Sequence, residues 1–172
     1  MLPILAAFLH IALRRRGPED LPASGLLLLA AGLFYVITQS LLGRTVYHSL
    51  SSLAGSLVLD LLLLCGCVWL LLRLTGHLAR YLQTLTAMFG TGALLGVCML
   101  PFNYWLDVAA TPDKPALGPT IGLLAIVSWS LVVNGHIFSR AMSLPFAPAL
   151  AIAIGYFFVN YLVFVQLGPA PA

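Results

Sequence analysis

Apolar residues in this chain do not alternate with polar ones. They run nearly unbroken for about twenty positions at a time, over 24–42, 53–74, 82–102, 119–138 and 147–167. A helix rises 1.5 Å per residue, so runs of this length match the ~30 Å hydrocarbon core of a bilayer. Lipid offers no partner to backbone N–H and C=O groups, and no segment shows the period-2 alternation of barrel strands, so the runs must be helices. The pattern predicts an all-α fold, a polytopic transmembrane bundle of five spans in a single domain covering 1–172. Residues 1–13 are apolar but about two-thirds of spanning length, and they end at Arg14, Arg15 and Arg16. They read as a short interfacial helix, followed by a connector over 14–23. In a secretory leader the positive charge precedes the apolar stretch; here it follows, and no small-residue cleavage pattern is nearby.

Boundary signals agree with these spans. Ser24 follows Pro22 as a helix cap, Pro119 stands at a helix start where its missing N–H costs nothing, and Pro145 and Pro148 open the last helix. Short connections predict that sequential helices are antiparallel neighbours. The longest connection, Asn103 to Gly118, has about 16 residues, too few to fold as a catalytic domain by itself.

Composition sharpens the class. The chain is 61% hydrophobic and 8% charged, with a mean hydropathy of +1.04, against about 25% charged residues in soluble domains. The bases then orient it: Arg14, Arg15, Arg16, Arg73, Arg80 and Arg140 flank one face, and only Arg44 and Lys114 the other. The arginine-rich face is expected to be cytoplasmic, in a bacterial inner membrane, with Tyr104 and Trp105 at the outer interface and the tail Gly168 to Ala172 outside. The net charge of +3 reflects this asymmetry and attraction to anionic headgroups. Nucleic acid is excluded as a partner; the bilayer, other membrane proteins or a second copy remain.

Asp60 is the most unusual residue, because an ionised carboxylate within a span costs a few kcal/mol unless it is paired or protonated. Counting from Leu53, it lies roughly 10 Å below the outer boundary, and Gln39 and Asn160 reach similar depths on other spans. These three are expected to share one polar layer, either a proton or substrate relay or interhelical glue. A second polar cluster is expected at the inner face: Arg73, His77 and Arg80 on one side of a turn, Asn134, His136 and Arg140 closing the fourth span. Small residues predict close helix contacts at Gly92 and Gly96, and at Ala151 and Gly155. Cys65 and Cys67 point about 200° apart on one helix, so they and Cys98 read as packing residues. The histidines His10, His48, His77 and His136 offer no facing pair at buried depth, so no haem, metal or other cofactor is expected. The connector Arg14 to Ser24, held non-helical by Gly17, Pro18 and Pro22, is either a docking element or a salt-bridged connector that lets the interfacial helix fold back against the membrane.

The stretch from Arg73 to Gly90, a basic turn leading into Tyr81-Leu-Gln-Thr-Leu85, resembles the bacterial branch of the Yip family of five-span membrane proteins. Thr75, Gly76, Arg80, Tyr81 and Gln83 carry the likeness. The resemblance implies a compact integral membrane protein; the chain departs from eukaryotic members, whose long polar N-terminus engages trafficking GTPases, in having only Met1 to Pro22 before its first span, so GTPase binding is not carried over. The leading expectation is a non-enzymatic scaffold or accessory subunit of a membrane assembly. The alternative is a small transporter or channel built on the polar layer around Asp60. An intramembrane enzyme ranks last, because no nucleophile and base, and no metal set, share a depth.

Overall fold

The computed structural model describes residues 2–47, 49–109 and 116–167, without the side chains of Leu2, Pro3 and Leu167. Lys114, His48 and the tail 168–172 lie outside the described residues. The described residues form an all-α bundle of six α-helices: α1 (Leu2–Ala12), α2 (Gly25–Gly43), α3 (Leu50–Leu74), α4 (Tyr81–Ala109), α5 (Leu117–Met142) and α6 (Phe146–Leu167). Among the described residues there is no strand. The last five helices, α2 to α6, are long and apolar enough to cross a membrane.

The predicted caps form. The Ser24 Oγ accepts the Leu27 N–H at 3.4 Å, and Pro145 lends its carbonyl to Ala149 at the start of α6. Two boundaries differ from expectation. α4 runs through Pro101 to Ala109, so much of the expected 103–118 loop is helix, including Tyr104 and Trp105; a single missing N–H interrupts one bond without ending a helix packed along its length. α3 begins at Leu50, three residues early, which lowers Asp60 to ten residues inside the helix, about 15 Å along its axis.

α4 is the axis of the bundle. Half of its most apolar stretch is buried, against 17% for α3. Every position from Thr84 to Thr91 is inside, and Thr84, Thr86 and Thr91 return their hydroxyls to carbonyls four residues back at 2.7–2.8 Å. This closes their hydrogen bonds within the helix. The expectation that sequential helices are the closest neighbours fails for α2, whose tightest contact is with α4 rather than α3. The reason is Gly92-x-x-x-Gly96: a Cβ at Gly92 would stand 2.9 Å from the Tyr35 ring, and one at Gly96 would stand 2.7 Å from Thr38 Cγ2. Both glycines therefore open seats for α2 side chains within the same chain, and the two parallel helices meet. The other small pair does not pack: Ala151 and Gly155 are exposed, and nothing stands within 4 Å of a Cβ at Gly155. The contact face of α6 lies two positions away at the fully buried Ala149 and Ala153, where Gly135 of α5 lets the Leu150 backbone approach. Two positions are about 200° of helix, enough to reverse the face.

α1 docks on α4 and α5 by one face. Phe8 and Ile11 are buried, with Phe8 against Gly90, while Ile4, Leu5, Leu9 and Leu13 point away from the bundle.

Buried apolar residues are not spread evenly along the bundle. Phe8, Ile11, Val68, Leu72, Leu85, Met88, Val133, Ile137, Phe138 and Met142 fill the half near Arg73, Arg80 and Arg140, here called the arginine end. The opposite half holds few, Leu53 among them; there α2 stays against α4 at Gly96, while α3 packs only sparsely on its neighbours.

Candidate functional site

The opposite half carries an open cavity of about 470 Å³ between α2, α3, α4 and α6. Gly43, Val46 and Tyr47 form its rim, at the end opposite the arginines, and Gln39, Asp60 and Asn160 its floor. A smaller chamber of about 220 Å³ continues toward the arginine end past the same Gln39, Asp60, Phe157 and Asn160 to Ser130 and Asn134. Asp60 stands where the two meet.

Tyr35 donates to Asp60 Oδ2 at 2.7 Å, and Gln39 Nε2 donates to the Tyr35 hydroxyl at 2.9 Å. This three-member relay consumes the tyrosine's donor and one of its acceptor sites, leaving carboxylate capacity toward the cavity. On α6, Asn160 Nδ2 reaches the Tyr156 hydroxyl at 3.4 Å. Each helix thus presents a tyrosine and, one turn later, an amide on the same face. The packing that fixes Tyr35 is Gly92 of the α4 glycine pair together with Phe89, whose ring lies 5.2 Å from the Tyr35 centroid at 42°. The helix-packing motif and the polar layer are therefore one construction.

Sequence reasoning brought Asp60, Gln39 and Asn160 together, and the structure places all three on the cavity floor. It missed Tyr35 and Tyr156, although their i, i+4 spacing to Gln39 and Asn160 was the available signal. It also placed Asn134 at the inner face, whereas that residue lines the central chamber. α5 turns this one position inward while His136 and Arg140, two and six residues on, face elsewhere.

Of the rest of the expected inner-face cluster, Arg80 and Arg140 come together, while Arg73, His77 and His136 do not join them. Arg80 Nη1 donates to the carbonyls of Arg140 and Ala141, both at 3.0 Å, and to Ser143 Oγ at 2.9 Å, which caps the negative C-terminal end of α5. Arg140 pairs with Glu19 of the connector, and His136 Nε2 meets the Arg16 carbonyl at 2.8 Å. Trp129 Nε1 donates to the Ala12 carbonyl at 3.1 Å and Gln83 Nε2 to the Leu21 carbonyl at 2.7 Å. The connector is thus a strap tied to α4 and α5. Arg73 lies over its own helix neighbour Trp69, 4.8 Å from the ring centroid, and His77 Nδ1 is buried without a hydrogen bond.

Among the described residues no three His, Cys, Asp or Glu side chains gather as metal ligands would, and the only ion pair is Arg140–Glu19. Asp60 therefore has no cationic partner there. Around it stand rings: Tyr35 and Tyr156 in the inner chamber, Phe157 shared, Tyr47, Tyr161 and Phe164 in the outer one. Fold and site together define a helical bundle of membrane-spanning character with a central polar cavity. Comparison of the chain with protein families, with curated proteins and with solved structures gives no match.

Proposed function

We propose that the protein is a small, non-enzymatic integral membrane transporter that binds an organic cation at Asp60. The single observation that supports this most is a carboxylate without a cationic partner among the described residues, at the floor of a cavity, held by Tyr35 and Gln39 and with aromatic rings in the lining. A carboxylate supplies the charge, and ring faces attract ammonium groups by about 0.5–2 kcal/mol each. A bare metal ion would call for several oxygen ligands at 2.3–2.6 Å; one carboxylate among rings suits a larger, softer cation. In this proposal the arginine end is cytoplasmic and the cavity opens to the outside of a bacterial inner membrane.

The test is uptake of labelled tetramethylammonium into vesicles containing the purified protein. Wild-type vesicles should accumulate it faster than empty ones, and Asp60→Asn should reduce that excess at least tenfold while the protein elutes unchanged from a sizing column. Equal uptake by the two proteins would remove Asp60 from the proposal.

A second proposal, a scaffold or accessory subunit, draws support from α6, where only 11% of the most apolar stretch is buried and Phe158, Leu162 and Val165 stand clear of the bundle. A stoichiometric membrane protein co-purifying in mild detergent, and lost when these three become alanine, would favour it. The resemblance of the Arg73–Gly90 stretch to the Yip family, kept here as a proposal, suits either function and names no reaction.

A further inference from the structure

A groove of about 400 Å³ runs between α3 and α6 on the lipid-facing side. Leu62, Gly66, Cys67, Leu70, Ile152 and Val159 line it, and it ends at Tyr156 and Asn160. Those two residues also line the central chamber beside Asp60. From Leu62 to Leu71 the groove follows nine residues of α3, about 13 Å. Leu62, Leu70 and Val159 are each at least half exposed, so its side is open to the bilayer. Nothing lies within 4 Å of a Cβ at Gly66, which leaves the middle of the groove vacant of side chains. α3 touches α2, α4, α5 and α6 only sparsely, so the helix that carries Asp60 also forms one wall of a slot leading to it.

We infer that the cation is an amphiphile, a primary amine on a hydrocarbon chain, with its ammonium on Asp60 and its chain in the α3–α6 groove. This rests on the organic-cation reading of the cavity. Two observations select the occupant: charge complementarity, since the carboxylate has no cation among the described residues, and continuity, since Tyr156 and Asn160 join the groove to the chamber. The groove offers apolar lining and no charge, the surroundings a hydrocarbon chain requires. Lipid tails are as apolar as leucine, so the chain gains little by leaving the bilayer. What the groove supplies is room, allowing a head anchored in lipid to reach Asp60 from the side without dragging its chain through the polar cavity.

The experiment measures equilibrium binding of radiolabelled butylamine and dodecylamine to the protein in phosphatidylcholine nanodiscs, corrected for empty discs. Wild type should bind both, and Asp60→Asn should lose both. Gly66→Trp fills the groove where no neighbour must move; it should weaken dodecylamine at least tenfold and leave butylamine within twofold, the retained butylamine showing that the variant is folded. Dodecylamine binding unaffected by Gly66→Trp, or binding of butylamine alone to wild type, would overturn the inference while leaving the cation site standing. Binding of neither amine to wild type would overturn both. Should Gly66→Trp lose both amines, the smaller Gly66→Leu is read by the same ratio, and equal losses there count against the groove.

Discussion

The two halves of this bundle use polar residues in opposite ways. At the arginine end, side chains are tied mostly to backbone: Arg80 to two carbonyls at the close of α5 as well as to the Ser143 hydroxyl, Gln83, Trp129 and His136 to carbonyls around the connector. Three helices finish there in left-handed turns, at Arg14, Gly76 and Ser143, and in each the next N–H reaches back five residues to a carbonyl of the last turn at 2.8–3.0 Å. This closure satisfies carbonyls that a helix end leaves open. The half is filled with buried apolar residues, and in its pocket of about 370 Å³ the polar side chains of Glu19, Arg80, Ser139, Arg140 and Ser143 are already bonded to one another or to backbone. At the other end α3 packs only sparsely on its neighbours, and Asp60, Gln39 and Asn160 line an open cavity. The difference teaches that a residue's chemistry is available only where the backbone has not already claimed it.

Four substitutions would break or sharpen this contrast, beyond those at Asp60 and Gly66. Gly92→Leu should act on both halves, because its Cβ meets the Tyr35 ring at 2.9 Å and the remaining carbons must displace α2. Thermal unfolding in detergent should register about 3 kcal/mol of destabilisation, with cation binding lost as Tyr35 leaves Asp60. Arg80→Ala should confine its damage to the arginine end, costing about 1.5 kcal/mol by freeing the α5 carbonyls, with cation affinity unchanged; a fall in affinity would show that the halves are coupled. Tyr35→Phe reverses that signature. Deleting one hydroxyl from the Gln39–Tyr35–Asp60 relay should weaken tetramethylammonium binding roughly tenfold, about 1.4 kcal/mol, and leave the melting temperature nearly untouched. Glu19→Gln should do least, because an exposed ion pair with Arg140 is worth about 0.5 kcal/mol, and the small difference should vanish in high salt. A large effect of Glu19→Gln would mean that the strap governs the stability of the whole arginine end.

The site was partly legible in the chain. Asp60 declares itself because a carboxylate in an apolar run has no other excuse, and depth arithmetic brought Gln39 and Asn160 to it. Tyr35 and Tyr156 escaped because aromatic residues in spans are ordinary, and only their partners distinguish them. The inner-face cluster looked coherent on paper since its members share a depth. Depth fixes height along a helix and leaves the direction of a side chain open, and around α5 that direction sends Asn134 to the chamber, His136 to the connector and Arg140 to Glu19.

By itself the sequence determined the helices, their number, the apolar lengths that suit a bilayer and the asymmetry of arginine between the two ends. These follow from composition and period, which act locally along the chain. Only the tertiary structure decided that α2 leans on α4 instead of its neighbour α3, that Ala149 and Ala153 rather than Ala151 and Gly155 meet α5, and that the bundle closes at one end and opens at the other. The physical reason is that in a chain apolar on every side, hydrophobicity cannot choose which face goes inward. Close packing at a few glycines and alanines makes that choice, and it depends on what the facing helix presents.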